Sequence, residues 1–188
     1  MFLKVLKEES NPYKGSEYAG FIDLKSDRDF TIRAGQSAMI NLGVRINYEE
    51  MDSKLEKTFL NIEQFKKSHF LQLSLRSSLA KRGLIIPNGV GIIDIDYRDE
   101  IKLMVHFPVT RSYIANILTS KNRIDIKKGE RIAQISIIEH KAWLLGVDSK
   151  KERIGGFGST GSFEDTEIIN PLPVRYNLAS PIFQEVSH

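Results

Sequence analysis

Between Arg76 and Tyr97 the chain reads R-S-S-L-A-K-R-G-L-I-I-P-N-G-V-G-I-I-D-I-D-Y. A guanidinium, paired hydroxyls, a turn of helix, an amide and a carboxylate fall within one compact segment, a combination that suits a pocket for a phosphorylated base. Arg76, Ser77 and Ser78 open the helical turn, where unbonded backbone N–H groups and the positive helix end favour phosphate. The same string also serves as an ordinary helix cap. Asn88, in Pro87-Asn88-Gly89, is a turn residue by composition, yet its amide offers a base edge both a donor and an acceptor. Asp94 stands between Ile93 and Ile95. Those flanking isoleucines predict a partly desolvated carboxylate whose basicity rises toward that of a general base, able to orient and deprotonate a water. A turn aspartate capping a hairpin is the plainer alternative. Asp96 lies nearer the turn and reads as structural. Tyr97, on local grounds, is a cross-strand packing residue.

Other segments carry chemistry of the same kind. Gly129–Gln134 reads G-E-R-I-A-Q; on a strand Arg131 and Gln134 sit on opposite faces, which leaves one of them as a solvated surface residue. Gly155–Gly161, G-G-F-G-S-T-G, disfavours regular structure and reads as a flexible arm or linker. Asp23 follows Ala19-Gly20-Phe21-Ile22.

The elements that must position these groups are mostly strands. Phe21–Leu24, Phe30–Arg33, Ala38–Ile46, Phe70–Leu75, Val90–Asp94, Ile101–Phe107 and Ile132–Ile138 are short β-rich runs, several alternating with period two. Ala34-Gly35, Pro87-Asn88-Gly89 and Lys128-Gly129 punctuate them as turns. Many short strands of this kind predict an all-β sandwich, barrel or jelly roll. Within Asp52–Lys67, Leu55, Phe59, Ile62 and Phe65 stand at helical spacing, with Ser53 and Glu56 as a candidate capping box. That predicts one amphipathic helix on the β core. Val109–Lys121 reads either as a helix face or as part of a longer hairpin. Ser77–Arg82 predicts a single helical turn ended by Gly83. Residues 162–188 contain Pro171, Pro173 and Pro181 among apolar residues, as expected of an extension that docks on a neighbouring subunit.

Composition sets outer bounds. A chain of 188 residues with 41% hydrophobic content supports one ordinary core. The absence of cysteine excludes disulfides and thiolate metal sites. A net charge of +3 spread along the chain argues against nucleic acid as a direct partner. No apolar run is long enough to span a membrane, and a cytoplasmic globular domain is the expectation.

The Arg76–Tyr97 string, taken with Gly129–Gln134 and Gly155–Gly161 in that order, resembles the motifs of the trimeric dUTP pyrophosphatases (dUTPases), and phage or viral members also carry such insertions and extensions. The resemblance implies a jelly-roll or β-clip subunit over residues 1–154, with insertions at about 50–67 and 109–120. A phosphate-closing arm follows at 155–161, then an extension at 162–188. It implies a homotrimer in which each active site draws on three chains. It implies hydrolysis of dUTP to dUMP and pyrophosphate with Mg2+, limiting uracil incorporation into DNA. Asp94 then activates water, and Asn88 and the backbone around Ile93 read uracil. Tyr97 packs against deoxyribose and excludes a 2′-hydroxyl. Arg76, Ser77, Ser78, Arg131 and Gln134 bind phosphates and the catalytic water. Asp23 holds Mg2+ through water. In the arm, Phe157 stacks on uracil while Gly158, Ser159 and Thr160 wrap the phosphates and Arg153 approaches the γ-phosphate. Three departures stand out: one extra residue in A-G-F-I-D, Arg153 one position nearer Phe157 than usual, and Asp99 where glycine is usual.

Two alternatives share the scaffold. A dCTP deaminase has the same R-S-S-L-A string but needs an acidic base beside the cytosine amine, and the strand Ile101–Phe107 offers none internally; Glu100 stands at its start. A regulatory module would bind a protein partner through the 50–67 insertion.

Overall fold

The structure, a computed structural model, describes residues 2–58, 61–109 and 122–147. Its strands are β1 (Leu3–Val5), β2 (Tyr13–Lys14), β3 (Ile22–Lys25), β4 (Phe30–Arg33), β5 (Ser37–Asn41), β6 (Val44–Ile46), β7 (His69–Leu75), β8 (Gly91–Asp94), β9 (Lys102–His106), β10 (Arg123–Ile126) and β11 (Arg131–Glu139). Among the described residues three α-helices interrupt them: α1 (Tyr48–Lys57), α2 (Ile62–Ser68) and α3 (Ser77–Ala80). The expected mostly-β architecture is therefore present. No helix among the described residues is long and apolar enough to cross a membrane.

A five-stranded antiparallel sheet in the order β2-β3-β11-β7-β8 forms the platform, and the pairs β1-β6, β4-β10 and β5-β9 complete the β structure. Alternation gives the platform two unlike faces. Leu24, Leu71, Leu73, Ile93, Ala133 and Ile135 turn inward and are buried. By register, Asp23, Gln72, Ser74, Asp94 and Gln134 share the other face. An apolar inner face and a polar outer face are what a half-buried antiparallel sheet requires.

Two sequence expectations need correction. Ala38–Ile46 is not one strand but β5 and β6, broken at Leu42-Gly43. Gly43 has φ 64°, and a Cβ there would lie 2.0 Å from Ser10 Oγ, so only glycine fits. The break lets β5 pair with β9 and β6 pair with β1. The single helix expected over Asp52–Lys67 is two helices, and its start is not the Ser53 box. Asn47 caps α1 by accepting from Glu50 N at 3.4 Å, and Asn61 caps α2 by accepting from Gln64 N at 2.9 Å. An asparagine side chain competes for backbone N–H groups, so the second one starts a new helix instead of continuing the first. Met51 and Leu55 seat α1 in the core, Ile62 and Phe65 pack against it, and Phe59 lies outside the described residues. Of the ambiguous Val109–Lys121 segment, all but Val109 lies outside them too. Ser77–Arg82 behaves as expected: α3 is a single turn, and Gly83 at φ 98° ends it.

Asp27 is the most buried charge described. Its side chain is 0% exposed and meets Arg28 Nε at 2.9 Å and Lys7 Nζ. Burial pushes its pKa up, but hydrogen bonds from Arg28 and Lys7 outweigh that and hold it below the ordinary aspartate value. A carboxylate with a depressed folded pKa contributes stability that is complete above its unfolded pKa of about 3.9 and disappears as pH falls through the lower folded value. Asp27→Asn is expected to cost about 1–3 kcal/mol at pH 6, the scale of a lost charge-assisted hydrogen bond. It should also flatten the fall in stability below about pH 4; urea unfolding of both proteins between pH 3 and 7 measures this.

Candidate active site

At one end of the platform's polar face, two guanidiniums converge on one carboxylate. Asp23 on β3 meets Arg76 Nε through Oδ1 at 3.0 Å and Arg131 Nη1 through Oδ2 at 3.2 Å. Arg76 caps α3, and its Nη1 lies 3.4 Å from the Arg131 carbonyl. The Arg131 guanidinium also stacks 4.7 Å above the Tyr13 ring from β2. Ser77 and Ser78 are exposed at the start of α3, while Leu79 behind them is fully buried and anchors that turn.

The expectation that Arg131 and Gln134 occupy opposite faces is wrong, and the reason is a β-bulge. Lys25 pairs with Arg131 and Leu24 with Ala133, so Ile132 is an extra residue on β11. A bulge shifts the side-chain parity by one. Gln134, opposite Asp23 and Ser74, therefore lies on the same face as Arg131. Both belong to one group with Asp23 and Arg76.

Asp94 lies at the other end. It ends β8 opposite Phe70 and is exposed, while Ile93 and Ile95 are 3% and 4% exposed. The desolvation expected from its isoleucine neighbours therefore fails in the single chain: on a strand, adjacent side chains face opposite ways, so the isoleucines fill the core and the carboxylate looks outward. Arg76 is six residues along the chain from Phe70, a separation of roughly 20 Å at about 3.3 Å per residue. One chain does not bring Asp94 and Arg76 together.

Backbone hydrogen bonds fix the Asp94 turn. Tyr97 N donates to Asp94 O at 3.1 Å, and Tyr97 Oη donates to Glu100 O at 3.1 Å. Tyr48 Oη, from α1, lies 2.9 Å from both the Ile95 and Tyr97 carbonyls. Burial pushes both tyrosine hydroxyls up to about 12, helped at Tyr97 by Asp99 and Glu100. Both hydroxyls remain donors at any working pH. Tyr97 is only 5% exposed, so its ring belongs mainly to the core. Asn88 is exposed in the turn that Gly89 N closes on Ile86 O. The Glu100 carboxylate accepts from Gly43 N at 2.7 Å and Asn41 Nδ2 at 3.2 Å.

An open cleft beside Asp94 and Asp96 carries Lys66, Lys67 and Arg98 on its walls. Sequence reasoning missed these cations as site residues, together with Tyr48 and Tyr13. Lys66 and Lys67 gave a visible signal as paired lysines at the end of the predicted helix; Tyr48 and Tyr13 gave none. Arg153, Phe157, Gly158, Ser159 and Thr160 lie outside the described residues.

A family model for dUTPase matches residues 71–161, from the strand before Arg76 through the glycine-rich segment. The chain is 34% identical over 166 residues to a deoxyuridine 5′-triphosphate nucleotidohydrolase of Nautilia profundicola, covering 85% of this chain and 96% of that protein. It is 30% identical over 164 residues to the protein of the same name from Paramecium bursaria Chlorella virus 1, covering 84% and 94%. The fold is similar to that of the dUTPase from phage phi11 of S. aureus, with a TM-score of 0.55 at 15% identity over 84% of this chain and 97% of that one. An arginine-clamped aspartate, a serine-rich turn and a carboxylate hairpin thus sit on a fold and in a sequence context shared with these proteins, and the chain belongs to the dUTPase family.

Proposed function

We propose that this dUTPase hydrolyses dUTP to dUMP and pyrophosphate in active sites that need more than one copy of the chain. The observation that supports it is the separation of roughly 20 Å along β7 between Arg76 and the strand position opposite Asp94. A general base must reach its proton directly or through one water, so Asp94 serves the phosphates held at another chain's Arg76 in a homotrimer of the family type.

In this reading Asp94 takes a proton from a water as its oxygen bonds to phosphorus at the α–β junction, and pyrophosphate leaves. Arg76, Arg131, Ser77, Ser78 and Gln134 hold the phosphates and the water, so positioning and charge neutralisation carry the reaction. Asn88 and the backbone around Ile93 read the uracil edge. Tyr97 offers deoxyribose the rim of a ring fixed by the core, a rigid stop against a 2′-hydroxyl. Arg153, Phe157, Gly158, Ser159 and Thr160 are assigned to the base and phosphates from the sequence motif alone.

Asp23 fits a divalent cation only at second hand. Both its oxygens are on guanidiniums, and among the described residues no group of His, Asp or Glu forms a cation cage. A hard cation that takes its inner ligands from phosphate and water suits such a partner, and bound Mg2+ supplies further neutralisation of phosphate charge.

The deaminase alternative loses its candidate base, because the Glu100 carboxylate is committed to Gly43 and Asn41. With dCTP as substrate, no ammonia release is expected, against pyrophosphate release from dUTP; ammonia at a comparable rate would reverse the assignment. Asp94→Asn is expected to lower kcat by roughly 10²–10⁴-fold, the scale of a lost general base, with assembly and KM little changed. Steady-state kinetics and sedimentation read both. The shared site makes a separate prediction. Arg76→Ala and Asp94→Asn, each inactive alone, should regain about a quarter of wild-type activity when co-refolded in equal amounts, since random assembly pairs intact halves at that frequency. A site contained in one chain would show no recovery.

A further inference from the structure

The segment from Asn47 to Ser68 has no part in the chemistry assigned above, yet it places one hydroxyl at the site. Tyr48, in the first turn of α1, directs Oη at two carbonyls, Ile95 O and Tyr97 O, at 2.9 Å each. Those carbonyls belong to the turn that starts at Asp94 and that Tyr97 N closes on Asp94 O. The hydroxyl is itself well seated. Asn47 caps α1, Met51 and Leu55 are 1% and 3% exposed, and the Arg98 guanidinium lies 5.7 Å from the Tyr48 ring centroid. Its single proton is shared between two acceptors, and removing it withdraws that hydroxyl donor from both carbonyls.

The neighbouring part of the hairpin is held differently. Ile93, whose backbone is assigned to uracil, is paired to Leu71 within the five-stranded sheet. Base reading therefore depends on sheet register, whereas Asp94, the last residue of β8 opposite Phe70, is held by that register on one side and by the turn that α1 contacts on the other.

We propose that Tyr48 is a positioning residue for hydrolysis: by holding the Ile95 and Tyr97 carbonyls it aims the Asp94 carboxylate at its water. This rests on the assignment of Asp94 as general base. The segment that interrupts the β pattern after β6 is on this view a brace for the active-site turn.

The test compares Tyr48→Phe, Asp94→Asn and the double variant in the full-length enzyme, with Lys54→Ala as a control on the exposed side of the same helix. Tyr48→Phe keeps the ring and is expected to lower kcat by about 10–100-fold, the cost of a misaimed catalytic group. KM for dUTP and dUMP binding by calorimetry should change by less than about threefold, because the sheet still holds the base-reading strand. In the Asp94→Asn background the same substitution should cost nothing further, as expected of residues acting as one unit. Lys54→Ala should turn over like wild type. A wild-type kcat in Tyr48→Phe, an equal loss in both backgrounds, or a variant that loses both its native Tm and dUMP binding would each overturn the proposal, the last because the hydroxyl would then carry the fold and not the aim. Full loss in Asp94→Asn with none in Tyr48→Phe strikes only the brace; wild-type turnover in Asp94→Asn strikes the general-base assignment itself.

Discussion

A carboxylate gripped by two guanidiniums organises the Arg76 end of the sheet's polar face. Two arginines brought side by side repel each other, and a nearly buried aspartate alone would be costly. Asp23 between Arg76 and Arg131 resolves both problems, with each oxygen assigned to one cation. The three residues come from β3, the position just after β7 and the start of β11, so the triad forms only when those strands are in register. What remains is one net positive charge on a braced surface, at the start of a serine-rich turn. For the function proposed above that is a good resting state: the cations are positioned before ligand arrives, and only part of their charge is neutralised beforehand.

The bulge at Ile132 is what permits this. Without it Arg131 would follow strict alternation and project from the apolar face. With it, the buried pair Ile132-Ala133 replaces a polar-apolar alternation, and Arg131 joins Gln134 and Asp23. The local sequence R-I-A-Q contains the bulge's signature, two adjacent small or apolar residues between polar ones, but a register cannot be read without its partner strand.

Much of the rest was legible, for definable reasons. Period-two runs mark β4, β7, β9 and β11 because one side of each is buried. Arg123-Ile-Asp-Ile, which forms β10, alternates just as clearly but is short and follows a segment of ambiguous pattern. The helical insertion was legible as helical and not as two helices, because Leu55, Phe59, Ile62 and Phe65 keep helical spacing while the break is made by Asn61, a capping choice. The site motifs were visible as strings of residues. Their division between two ends of one sheet face was not, since distance along a strand follows from pairing. Nor was the brace on Asp94 visible, because a hydrogen bond from Tyr48 to backbone carbonyls leaves no trace in the identity of Ile95 or Tyr97.

Separating the carboxylate from the cations within one chain has an electrostatic consequence. In the assembly proposed above, Asp94 and Asp96 approach a polyanion, and like charges at close range in a partly desolvated setting oppose that approach. The same cleft carries Lys66, Lys67 and Arg98, cations that offset the two carboxylates. Lys66 is itself paired with Asp52 at 3.2 Å, and Arg98 lies over Tyr48, so these cations are tethered to α1 and α2. The insertion whose Tyr48 we propose aims Asp94 thus also places Lys66 and Lys67 beside it, with Arg98 added from the turn itself. Salt should then act on the two ends oppositely: screening weakens phosphate capture at Arg76 and Arg131 while easing repulsion at Asp94. On the proposed function, one strand, β8, then carries both the base-reading backbone at Ile93 and the carboxylate at Asp94, so strand geometry and balanced charge must be satisfied together.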